Sequence, residues 1–228
     1  MFPHVILHIG MSLDGRLDWV SIDQGLYYEI AARLAPDAIL SGSNTILAAD
    51  IPEEIPEEYR EMAAEMESQP DDTRQLLAVV DSQGRIRNWP AIRQQPWWRQ
   101  AIALCSAVTP KRYLEDLRDV GVETIVAGDE RVDLRTALEE MNARYGVETI
   151  RVDSGGILNG VLLREGLVQQ ISTLIHPQLV GGSSPRSMFV APDLQSKEGV
   201  IPLRLKDFQR LSEDVIWLNF DVINDEIK

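Results

Sequence analysis

Alternation between short apolar runs and amphipathic segments constrains the fold of this chain more than any other feature. Segments with apolar residues at helical spacing, such as "GLYYEIAARL" and "DLRTALEEMNARYG", lie between most of the runs. The apolar runs are rich in β-branched residues and are, in chain order, "HVILHIGMSL", "DAILSG", "QLLAVV", "QAIALCS", "VETIVAG" and "VETIRV". Repeated β-α units place parallel strands in a sheet whose two faces are covered by helices. The sequence therefore predicts an α/β fold with a mostly parallel central sheet and helices on both faces.

The apolar period changes from Leu203 onward. The stretches "LRLKDFQRLS" and "VIWLNFDVI" alternate apolar and polar residues, and Ser212-Glu213-Asp214 separates them. Such alternation around a short polar spacer predicts a C-terminal antiparallel hairpin. No linker, internal repeat or low-complexity segment interrupts the sequence, so we predict a single domain over residues 1–228.

Capping residues predict where two helices begin. We expect Ser43 and Asn44 to cap a helix that starts at Thr45, because short polar side chains accept hydrogen bonds from the first turn. A second helix is expected to have Thr109 as its N-cap and Pro110 at its first position.

Two glycines and one acidic stretch complete the helix predictions. Gly121 and Gly146 are expected to end helices, since glycine adopts the left-handed conformation that commonly follows a last turn. The segment "PEEIPEEYREMAAEMES", residues 52–68, is acidic and helix-forming, which predicts an exposed helix.

Composition argues against several classes of partner. The formal net charge is −14, which argues against nucleic acids and anionic membranes as partners because both require a basic protein surface.

The single cysteine, Cys105, excludes an intrachain disulfide, and its apolar neighbours predict a buried thiol. Three scattered histidines form no metal-ligand spacing with that cysteine. With no signal-peptide pattern and no apolar run long enough for a bilayer, we predict a cytoplasmic protein that binds no metal, nucleic acid or membrane.

Small and polar residues follow several predicted strands at the point where each strand ends. These stretches are "SLDGR", "SGSNT", "DSQGR", "AGD" and "DSGG". In an open parallel sheet, ligands bind beyond the carboxyl ends of the strands. Together these stretches predict a nucleotide site at that edge of the sheet.

Two adjacent glycines, Gly155 and Gly156, separate a predicted strand from a predicted helix. Residues this small let backbone N–H groups approach a ligand, and the start of a helix carries a partial positive charge that favours an anion. The spacing differs from that of the G-x-G-x-x-G fingerprint. A phosphate site and a merely tight turn are therefore both open for this stretch.

Four stretches resemble, in the same order, the reductase domain of the riboflavin pathway, a family with a dihydrofolate-reductase-like fold. They are "MSLDGRL", "DAILSGSNTIL", "AVVDSQGRI" and "VDSGGILNGVLLREGLVQQISTLIHPQLVGG". The similarity runs roughly from Pro3 to Gly182, and the last stretch is the most specific. The resemblance implies a three-layer fold, a single reductase domain and a homodimer. It also implies an NADPH-dependent hydride transfer that converts a ribosylaminopyrimidine 5′-phosphate to the ribitylamino compound.

The resemblance further implies which residues bind the cofactor. Thr45 matches a family threonine that contacts NADP, and Ser82 matches a serine at the cofactor. Arg85 is close enough to Ser82 in sequence to help bind an adenosine 2′-phosphate. The pyrophosphate is expected on the segment formed by Ser154, Gly155, Gly156, Ile157, Leu158 and Asn159.

Substrate-binding and catalytic residues follow from the same resemblance. Asp153 matches a family glutamate that binds substrate and is one methylene shorter. Arg33 matches an arginine at the substrate, and Asp14 and Arg16 match an Asp-Gly-Lys/Arg segment at the mouth of the site. Asp14 and Asp153 are the expected catalytic carboxylates, because they are the nearest candidates for polarising or protonating the substrate.

Two departures from the family pattern leave the substrate open. Four residues after its cofactor threonine the family has an aspartate, whereas here that position is Ala49 and Asp50 follows. The family's "L-T-V-R" segment, whose arginine binds the substrate phosphate, is replaced by "IPEEIPEEYREM", in which Arg60 is the only arginine. A divergent pathway reductase fits these differences, and so does a paralogue that acts on an unphosphorylated carbonyl, imine or pterin-like ring.

Two alternative functions remain. A dihydrofolate or pterin reductase needs an acid on the helix after the first strand, and Glu29 is the only candidate. A nucleotide-binding module that has lost catalysis is compatible with Ala49 and with the missing phosphate arginine.

Aromatic residues follow the "DGR" turn in the region where the family binds its substrate. Trp19, Tyr27 and Tyr28 are expected either to stack on a flat heterocycle or to pack in the core. His8 is expected to be structural or to line the pocket.

Overall fold

The computed structural model describes residues 1–49, 51–52, 54–67, 72–183, 186–212 and 214–224. Asp50, Ser68 and Glu213, which enter the sequence predictions, lie outside the described residues. The chain divides into two compact units, one made of residues 1–3 and 36–148 and the other of residues 4–35 and 149–228. The single domain over residues 1–228 stays a prediction.

Nine strands and seven α-helices lie within the described residues. In chain order they are β1 (His4–Ser12), α1 (Gln24–Arg33), β2 (Ala38–Gly42), α2 (Ser43–Ala48), α3 (Glu57–Glu67), β3 (Gln75–Val80), α4 (Trp89–Arg93), β4 (Trp98–Cys105), α5 (Lys111–Asp119), β5 (Glu123–Val126), α6 (Leu134–Tyr145), β6 (Thr149–Val152), α7 (Gly156–Arg164), β7 (Gln170–His176), β8 (Leu203–Arg210) and β9 (Ile216–Val222). A 3-10 turn, Lys197–Gly199, precedes β8.

The first unit holds four parallel strands in the order β5-β4-β3-β2. Residues 76–79 of β3 and 101–105 of β4 are buried without interruption, so both faces of these strands are covered. On one face, α2, α4 and α5 contribute Ile46, Trp89 and Leu117 to the core. The predicted parallel α/β arrangement is confirmed in this unit.

The start of α2 differs from the sequence prediction. Ser43 and Asn44 lie inside the helix, and the N-cap is Gly42, which makes no side-chain cap. The side-chain oxygens of Ser43 and Asn44 instead accept hydrogen bonds from Arg85. The capping prediction was wrong because a partner distant in sequence occupies both oxygens.

The start of α5 also differs from the prediction. The helix begins at Lys111 after an N-cap at Pro110, so Thr109 is not the cap. The Thr109 hydroxyl accepts from the Ser106 N–H at 3.0 Å and donates to the Ser82 carbonyl at 2.7 Å. Thr109 therefore joins two loops that follow neighbouring strands.

The predicted helix ends are confirmed, while one short helix was missed. Gly121 and Gly146 both have a φ of 68° and follow the last turns of α5 and α6. Helix α4 has only five residues, which is too short for a helical period to show in the sequence.

The acidic segment forms α3, whose only buried residue is Ala63. The prediction of an exposed helix is confirmed over the described part of this segment. The helix is anchored by Tyr59, whose ring meets the Trp97 ring edge to face at 5.6 Å.

Cys105 ends β4 as a fully buried residue, as predicted. Burial raises the pKa of its thiol to about 12. A thiol that ionises so weakly packs as a small apolar group and is a poor nucleophile.

The second unit holds five strands in the order β6-β1-β7-β9-β8. Strand β1 pairs in parallel with β6 and β7, whereas β9 pairs antiparallel with both β7 and β8. Residues 5–10 of β1 are buried without interruption, so both faces of this central strand are covered. The predicted C-terminal antiparallel hairpin is confirmed.

A row of buried polar side chains, here called the polar row, runs from β9 to α1. Trp217 Nε1 donates to the Ser172 hydroxyl at 2.8 Å, and that hydroxyl lies 3.0 Å from His8 Nδ1. His8 Nε2 lies 3.0 Å from the Tyr27 carbonyl oxygen, so a neutral imidazole donates there and accepts from Ser172. Burial lowers the pKa of His8 to about 4, which keeps the ring neutral. The structural role predicted for His8 is thus borne out by its contacts.

Helix α7 packs closely against the segment 186–190. The Val190 N–H donates to the Gly156 carbonyl at 3.0 Å, and Asn159 Nδ2 donates to the Met188 carbonyl at 3.0 Å. A Cβ at Gly160 would lie 1.9 Å from the Val190 carbonyl oxygen. Only glycine lets the two backbones come this close.

The three histidines lie on β1 and β7 and are held by hydrogen bonds. His4 Nε2 lies 3.2 Å from the Gln170 side-chain oxygen, and His176 Nε2 accepts from the Asp23 N–H at 3.0 Å. Within the residues described, the structure contains no cluster of three or more metal-ligating side chains. No helix in the same ranges has the length and apolar character needed to cross a bilayer.

Replacing Gly160 by alanine tests the contact between α7 and residues 186–190. Alanine ordinarily stabilises a helix interior by about 0.5–1 kcal/mol relative to glycine. Here the backbone must move to admit a Cβ, so we expect a loss of about 1–3 kcal/mol in the free energy of unfolding. Urea unfolding measures it, with Gly155→Ala as the matched control, because a Cβ at Gly155 meets no atom within 4 Å. Equal stability of the two variants would contradict the close packing.

Buried His8 should make stability depend on pH. Its pKa falls from an ordinary 6.5 to about 4, so between these values the unfolded chain binds a proton that the folded chain does not. This stability is complete above pH 6.5 and is lost as the pH falls toward 4. We expect the loss to reach about 3 kcal/mol. Urea unfolding across this pH range should show a steeper decline for the natural chain than for His8→Asn, and equal slopes would refute the assignment.

Candidate functional site

The loops after β2 and β3 of the first unit meet through Arg85. Its Nη2 donates to the Ser43 hydroxyl and to the Asn44 side-chain oxygen, each at 2.6 Å. Two of the polar strand ends that the sequence placed together are therefore in contact. Arg85 is nevertheless an exposed residue, so its guanidinium is open to an anionic ligand.

Buried Asp81 shapes the turn that carries Arg85. Its Oδ2 accepts from the backbone N–H groups of Arg85 at 2.7 Å and Ile86 at 3.0 Å. The same oxygen accepts from the Tyr113 hydroxyl at 2.8 Å, and Trp89 Nε1 donates to that hydroxyl at 2.7 Å. Burial raises the pKa of Tyr113 well above its ordinary value, so the phenol stays protonated and donates. This network was not visible in the sequence because Tyr113 and Trp89 come from different helices.

Ser82 lies on the same turn and connects it to two neighbouring segments. Its hydroxyl oxygen accepts from the Val132 N–H at 3.1 Å, and its carbonyl accepts from Thr109 at 2.7 Å. Thr45 is half-buried on α2, one residue after Asn44. The first unit thus brings Ser82 and Arg85 onto one turn, while their cofactor roles and that of Thr45 stay predictions.

In the second unit, Asp153 follows β6 beside Arg151 and Tyr27. Arg151 Nη2 lies 3.6 Å from Asp153 Oδ2, and 5% of the Arg151 side chain is exposed against 37% of the Asp153 side chain. Burial, together with the nearby Asp153 charge, raises the pKa of Tyr27 well above its ordinary value. The Asp153 carboxylate therefore has a buried positive charge on one side and reaches solvent on the other. Such a group is suited to accept hydrogen bonds from a polar ligand.

Arg151 is a functional candidate that the sequence analysis missed. It is 4% exposed, and its Nε has no hydrogen-bond partner among the residues that the structure describes. Residues two apart on a strand share a face, so an arginine two positions before Asp153 was a usable signal. A buried cation requires a partner, and Asp153 is the carboxylate on its face. The stretch "VETIRV" was interpreted as an apolar strand, so Arg151 within it was not identified as a candidate.

Tyr27 is one of the three aromatic residues singled out in the sequence, and its ring packs on the polar row. The ring centroids of Tyr27 and His8 are 4.3 Å apart, and the Tyr27 hydroxyl donates to the His8 carbonyl at 3.2 Å. Trp19 and Tyr28 are 85% and 58% exposed. Tyr27 is therefore a packed residue beside Asp153, and the other two lie at the surface.

The two glycines at the start of α7 serve different purposes. Gly155 is the N-cap and provides no side-chain cap, and the start of a helix favours an anion. A Cβ at Gly155 would meet nothing within 4 Å, whereas a Cβ at Gly156 would lie 2.0 Å from the Ser187 carbonyl oxygen. Gly155 leaves the helix start open, and Gly156 permits close packing. A phosphate site is compatible with the open space at Gly155, and a tight turn is compatible with the close packing at Gly156.

The rest of the predicted pyrophosphate segment is partly structural. Asn159 is fully buried, and its Nδ2 donates to the Met188 carbonyl at 3.0 Å and the Ser154 carbonyl at 3.4 Å. Ile157 is 61% exposed and Leu158 is half-buried. Asn159 therefore holds the turn to the segment 186–190, while Gly155 has open space around it.

Asp14 connects the turn after β1 to the loop after β7. Its Oδ1 accepts from the Ser12 hydroxyl at 2.6 Å and the Val180 N–H at 3.1 Å, and its Oδ2 accepts from the Gly181 N–H at 2.7 Å. These hydrogen bonds, chiefly that from Ser12, lower the pKa of the carboxyl to about 2. At neutral pH such a carboxylate has no proton to donate, so the geometry favours a role in positioning the loop. A catalytic role for Asp14 stays a prediction.

The two arginines predicted at the substrate are held in different ways. Arg16 is buried, and its guanidinium donates to the Gly182 carbonyl in the loop after β7. Arg33 ends α1, pairs with Glu29 at 2.6 Å and approaches the Gln209 side-chain oxygen of β8 at 3.4 Å. Their substrate roles stay predictions.

Comparison with known proteins connects these features to a family. The family model described as the RibD C-terminal domain matches residues 3–217. The 2,5-diamino-6-ribosylamino-4(3H)-pyrimidinone 5′-phosphate reductase of Methanothermobacter thermautotrophicus is 31% identical over 222 residues, which cover 95% of this chain and 97% of that protein. The riboflavin biosynthesis protein RibD of Escherichia coli is 27% identical, and the match covers 94% of this chain but 59% of that protein.

A solved structure shares the fold. A pyrimidine reductase-like protein from Corynebacterium diphtheriae superposes with a TM-score of 0.73, covering 98% of this chain and 93% of that one at 16% identity. An identity this low is informative for the fold alone. The predicted dihydrofolate-reductase-like α/β fold, with a mostly parallel sheet and a C-terminal antiparallel hairpin, is confirmed.

The predicted activity class is also confirmed, since the curated relatives are named as reductases of this pathway. A reductase of riboflavin biosynthesis implies a nicotinamide cofactor and a small-molecule substrate. Residues 3–217 match the family model, and the identity to an archaeal reductase is 31% over nearly the whole of both chains. The chain therefore belongs to the RibD C-terminal domain family.

Proposed function

We propose that the chain is an NADPH-dependent reductase that transfers a hydride to a ribosylaminopyrimidine 5′-phosphate of the riboflavin pathway. Relatives from Methanothermobacter thermautotrophicus and Archaeoglobus fulgidus carry such a substrate in their names. One observation carries the proposal for this chain: Asp153, held by buried Arg151, stands two residues before the uncapped helix start at Gly155.

The spacing between Asp153 and Gly155 suits a hydride transfer. Two residues span at most about 7 Å, so a substrate bound to the carboxylate lies close to an anion bound at the helix start. Hydride transfer requires that donor and acceptor be held together in a fixed orientation. A carboxylate for the substrate and a helix start for the cofactor's phosphate lie in adjacent positions, so both molecules can bind side by side.

The residues of the second unit fit a dinucleotide. Open space at Gly155 lets its backbone approach a pyrophosphate, and the positive end of the α7 dipole favours the negative charge. A reduced nicotinamide, when bound, supplies the hydride, and the protein supplies binding and orientation. Asp153 accepts hydrogen bonds from donor groups of the substrate, such as ribose hydroxyls or ring amino groups. Arg151 holds the direction of that carboxylate, and Tyr27 packs beside it.

The proposed preference for NADPH over NADH is supported by Arg85 in the first unit. A guanidinium is suited to bind the 2′-phosphate that distinguishes the two cofactors. Hydrogen bonds to Ser43 and Asn44 hold it in place, and Asp81 fixes the turn beneath it. An arginine restrained in this way loses less side-chain entropy on binding a phosphate.

The alternatives gain little support from the described residues. Glu29, the acid that a pterin reductase would need, is 55% exposed in its side chain and pairs with Arg33. A nucleotide-binding module without catalysis has no evident use for a buried arginine directed at a half-exposed carboxylate. Turnover of a substrate separates that module from a reductase.

Arg60 is the only arginine in the segment that replaces the family's phosphate-binding stretch. Arg60 of α3 donates its Nε to the Ile55 carbonyl at 3.2 Å, and glutamates surround it in sequence. An unphosphorylated analogue therefore belongs in any substrate screen beside the 5′-phosphate. We also propose that the enzyme works as a cytoplasmic homodimer without a nucleic-acid partner, in keeping with its net charge of −14 and its family.

Replacing Asp153 by asparagine tests the reductase assignment. The amide keeps the size of the side chain but removes the negative charge that binds the substrate. We expect kcat/KM for the pyrimidine substrate to fall by roughly 10²–10⁴-fold, while the Kd for NADPH stays unchanged. Steady-state oxidation of NADPH gives the first quantity, and quenching of tryptophan fluorescence gives the second.

Asp119→Asn, at the exposed last residue of α5, is the matched control and should leave both quantities unchanged. A natural chain that binds NADPH but turns over neither the phosphorylated nor the unphosphorylated substrate would favour the binding module. Failure to bind either nicotinamide cofactor would refute the reductase proposal.

Replacing Arg85 by glutamine tests the cofactor preference. Removal of one charge-assisted hydrogen bond to a phosphate should weaken NADPH binding by roughly 10–100-fold and leave NADH binding unchanged. Fluorescence titration with both cofactors measures the ratio. Arg87→Gln is the control, since Arg87 stacks over the Tyr113 ring at 5.4 Å only two residues further along. If Arg85→Gln weakened the binding of NADPH and of NADH equally, Arg85 would not bind the 2′-phosphate.

A further inference from the structure

Arg186 lies between the turn after β1 and the start of α7. Its carbonyl accepts from the Leu17 N–H at 3.4 Å, and the next residue, Ser187, forms a β-bridge with Arg16. The Ser187 carbonyl oxygen packs on Gly156, where a Cβ would come within 2.0 Å of it. Since consecutive Cα atoms are about 3.8 Å apart, the backbone fixes Arg186 close to the first turn of α7.

The Arg186 side chain is only loosely held. Its Nη1 lies 3.5 Å from Asp18 Oδ2, and 66% of the side chain is exposed. A guanidinium has five N–H donors, and those of Arg186 make no hydrogen bond within the described part of the chain. An exposed ion pair of this kind adds little to stability. The donors are therefore available to a ligand.

Other arginines at the same edge of the second unit already have buried contacts. Arg16 is buried and donates to the Gly182 carbonyl, and buried Arg151 lies beside Asp153. A ligand could reach these guanidiniums only by displacing the contacts that hold the loop and the carboxylate. Among the described residues of this edge, Arg186 is the arginine that binds an anion without such a loss.

Asp18 holds Arg186 through one oxygen and leaves the other unused. Of the Asp18 side chain, 21% is exposed, and its Oδ1 is buried with no hydrogen-bond partner among the residues described. A salt bridge built for stability would use both carboxylate oxygens, because an unsatisfied buried oxygen costs free energy. The pair therefore resembles a resting contact that keeps the guanidinium beside the start of α7.

The surroundings of Arg186 favour an anion in one respect and oppose it in another. The start of α7, a helix of nine residues with open space at Gly155, favours an anion. Asp14 and Asp153 follow β1 and β6 at the same edge, and the formal net charge of the chain is −14, so an anion is also repelled. A phosphate therefore needs a positive charge of its own, and the planar fork of an arginine matches two phosphate oxygens.

We propose that Arg186 binds a phosphate group of the ligand beside the start of α7. A phosphate monoester carries up to two negative charges, so it attracts the guanidinium more strongly than the single charge of Asp18 does. The long side chain can turn toward the ligand while its backbone stays paired with Leu17. The inference rests on the proposed function, and it names the residue by which the site distinguishes a phosphorylated ligand from an unphosphorylated one.

Two phosphates of the proposed reaction have this chemistry, the 5′-phosphate of the substrate and the pyrophosphate of the cofactor. Replacing Arg186 by uncharged glutamine separates them. If Arg186 binds the substrate phosphate, we expect KM for the 5′-phosphate compound to rise roughly 10–100-fold, with kcat/KM for the unphosphorylated compound and the Kd for NADPH unchanged. If it binds the pyrophosphate, the Kd values for NADPH and NADH should rise by that factor, and both substrates should be affected alike. Arg118→Gln, at an exposed position in the last turn of α5, is the control and should change none of these quantities.

Two further variants separate phosphate binding from a structural role. Arg186→Gln and Asp18→Asn remove the same ion pair, but Asp18→Asn keeps the guanidinium. We expect Asp18→Asn to leave phosphate affinity nearly unchanged, and Arg186→Lys, which keeps the charge but not the fork, to lose less affinity than Arg186→Gln. Equal losses in Asp18→Asn and Arg186→Gln would mean that the ion pair merely holds the loop, which would contradict the proposal.

A binding measurement keeps the test independent of catalysis. The full chain is titrated by calorimetry with ribose 5-phosphate and with inorganic pyrophosphate, and ribose is the uncharged control. We expect Arg186→Gln to raise the Kd for at least one of the two phosphates roughly 10-fold or more. A chain that shows this binding but oxidises no NADPH with either substrate would refute the reductase and leave the phosphate site in place. Unchanged phosphate binding, KM and cofactor Kd in Arg186→Gln would overturn the proposal.

Discussion

The polar row is the interaction on which the second unit depends. It links Trp217 on β9, Ser172 on β7 and His8 on β1 to the backbone of α1 at Tyr27. Ser172 and His8 in the middle of the row each accept one hydrogen bond and donate another, while Trp217 only donates and the Tyr27 carbonyl only accepts. An unpaired polar group at this depth is costly, so the order of the row determines how α1 lies on the sheet. Because α1 carries Tyr27 to the side of Asp153, the row also sets the surroundings of the proposed substrate carboxylate.

Both units use a buried polar group to orient an exposed one. In the first unit, Asp81 receives two backbone N–H groups and the Tyr113 hydroxyl, and the resulting turn presents Arg85. In the second unit, buried Arg151 lies behind half-exposed Asp153. A side chain that buried neighbours already hold keeps its orientation when a ligand binds, so it loses less conformational entropy on binding. The proposed cofactor and substrate groups are therefore supported by residues that never reach the ligand.

The sheet of the second unit distributes polarity in an unusual way. On the side of α1 it buries Arg151, His8, Ser172 and Asn219, whereas the hairpin exposes its apolar side. These polar residues lie among buried apolar ones, since Leu174 and Trp217 pack with Ile30 of α1 on the same side.

Sequence by itself determined the β-α alternation, the terminal hairpin, the glycine that ends α6 and the strand ends that carry Arg85 and Asp153. These features depend on residues a few positions apart, whose spacing can be read directly. Only the tertiary structure decided that Ser43 and Thr109 bond to distant partners and not to their own helices, and that Gly155 and Gly156 have separate purposes. It also decided where the register of β8 against β9 shifts, between Leu205 and Asp207. Such outcomes depend on contacts between residues far apart in the chain, and packing selects these contacts after the local elements have formed.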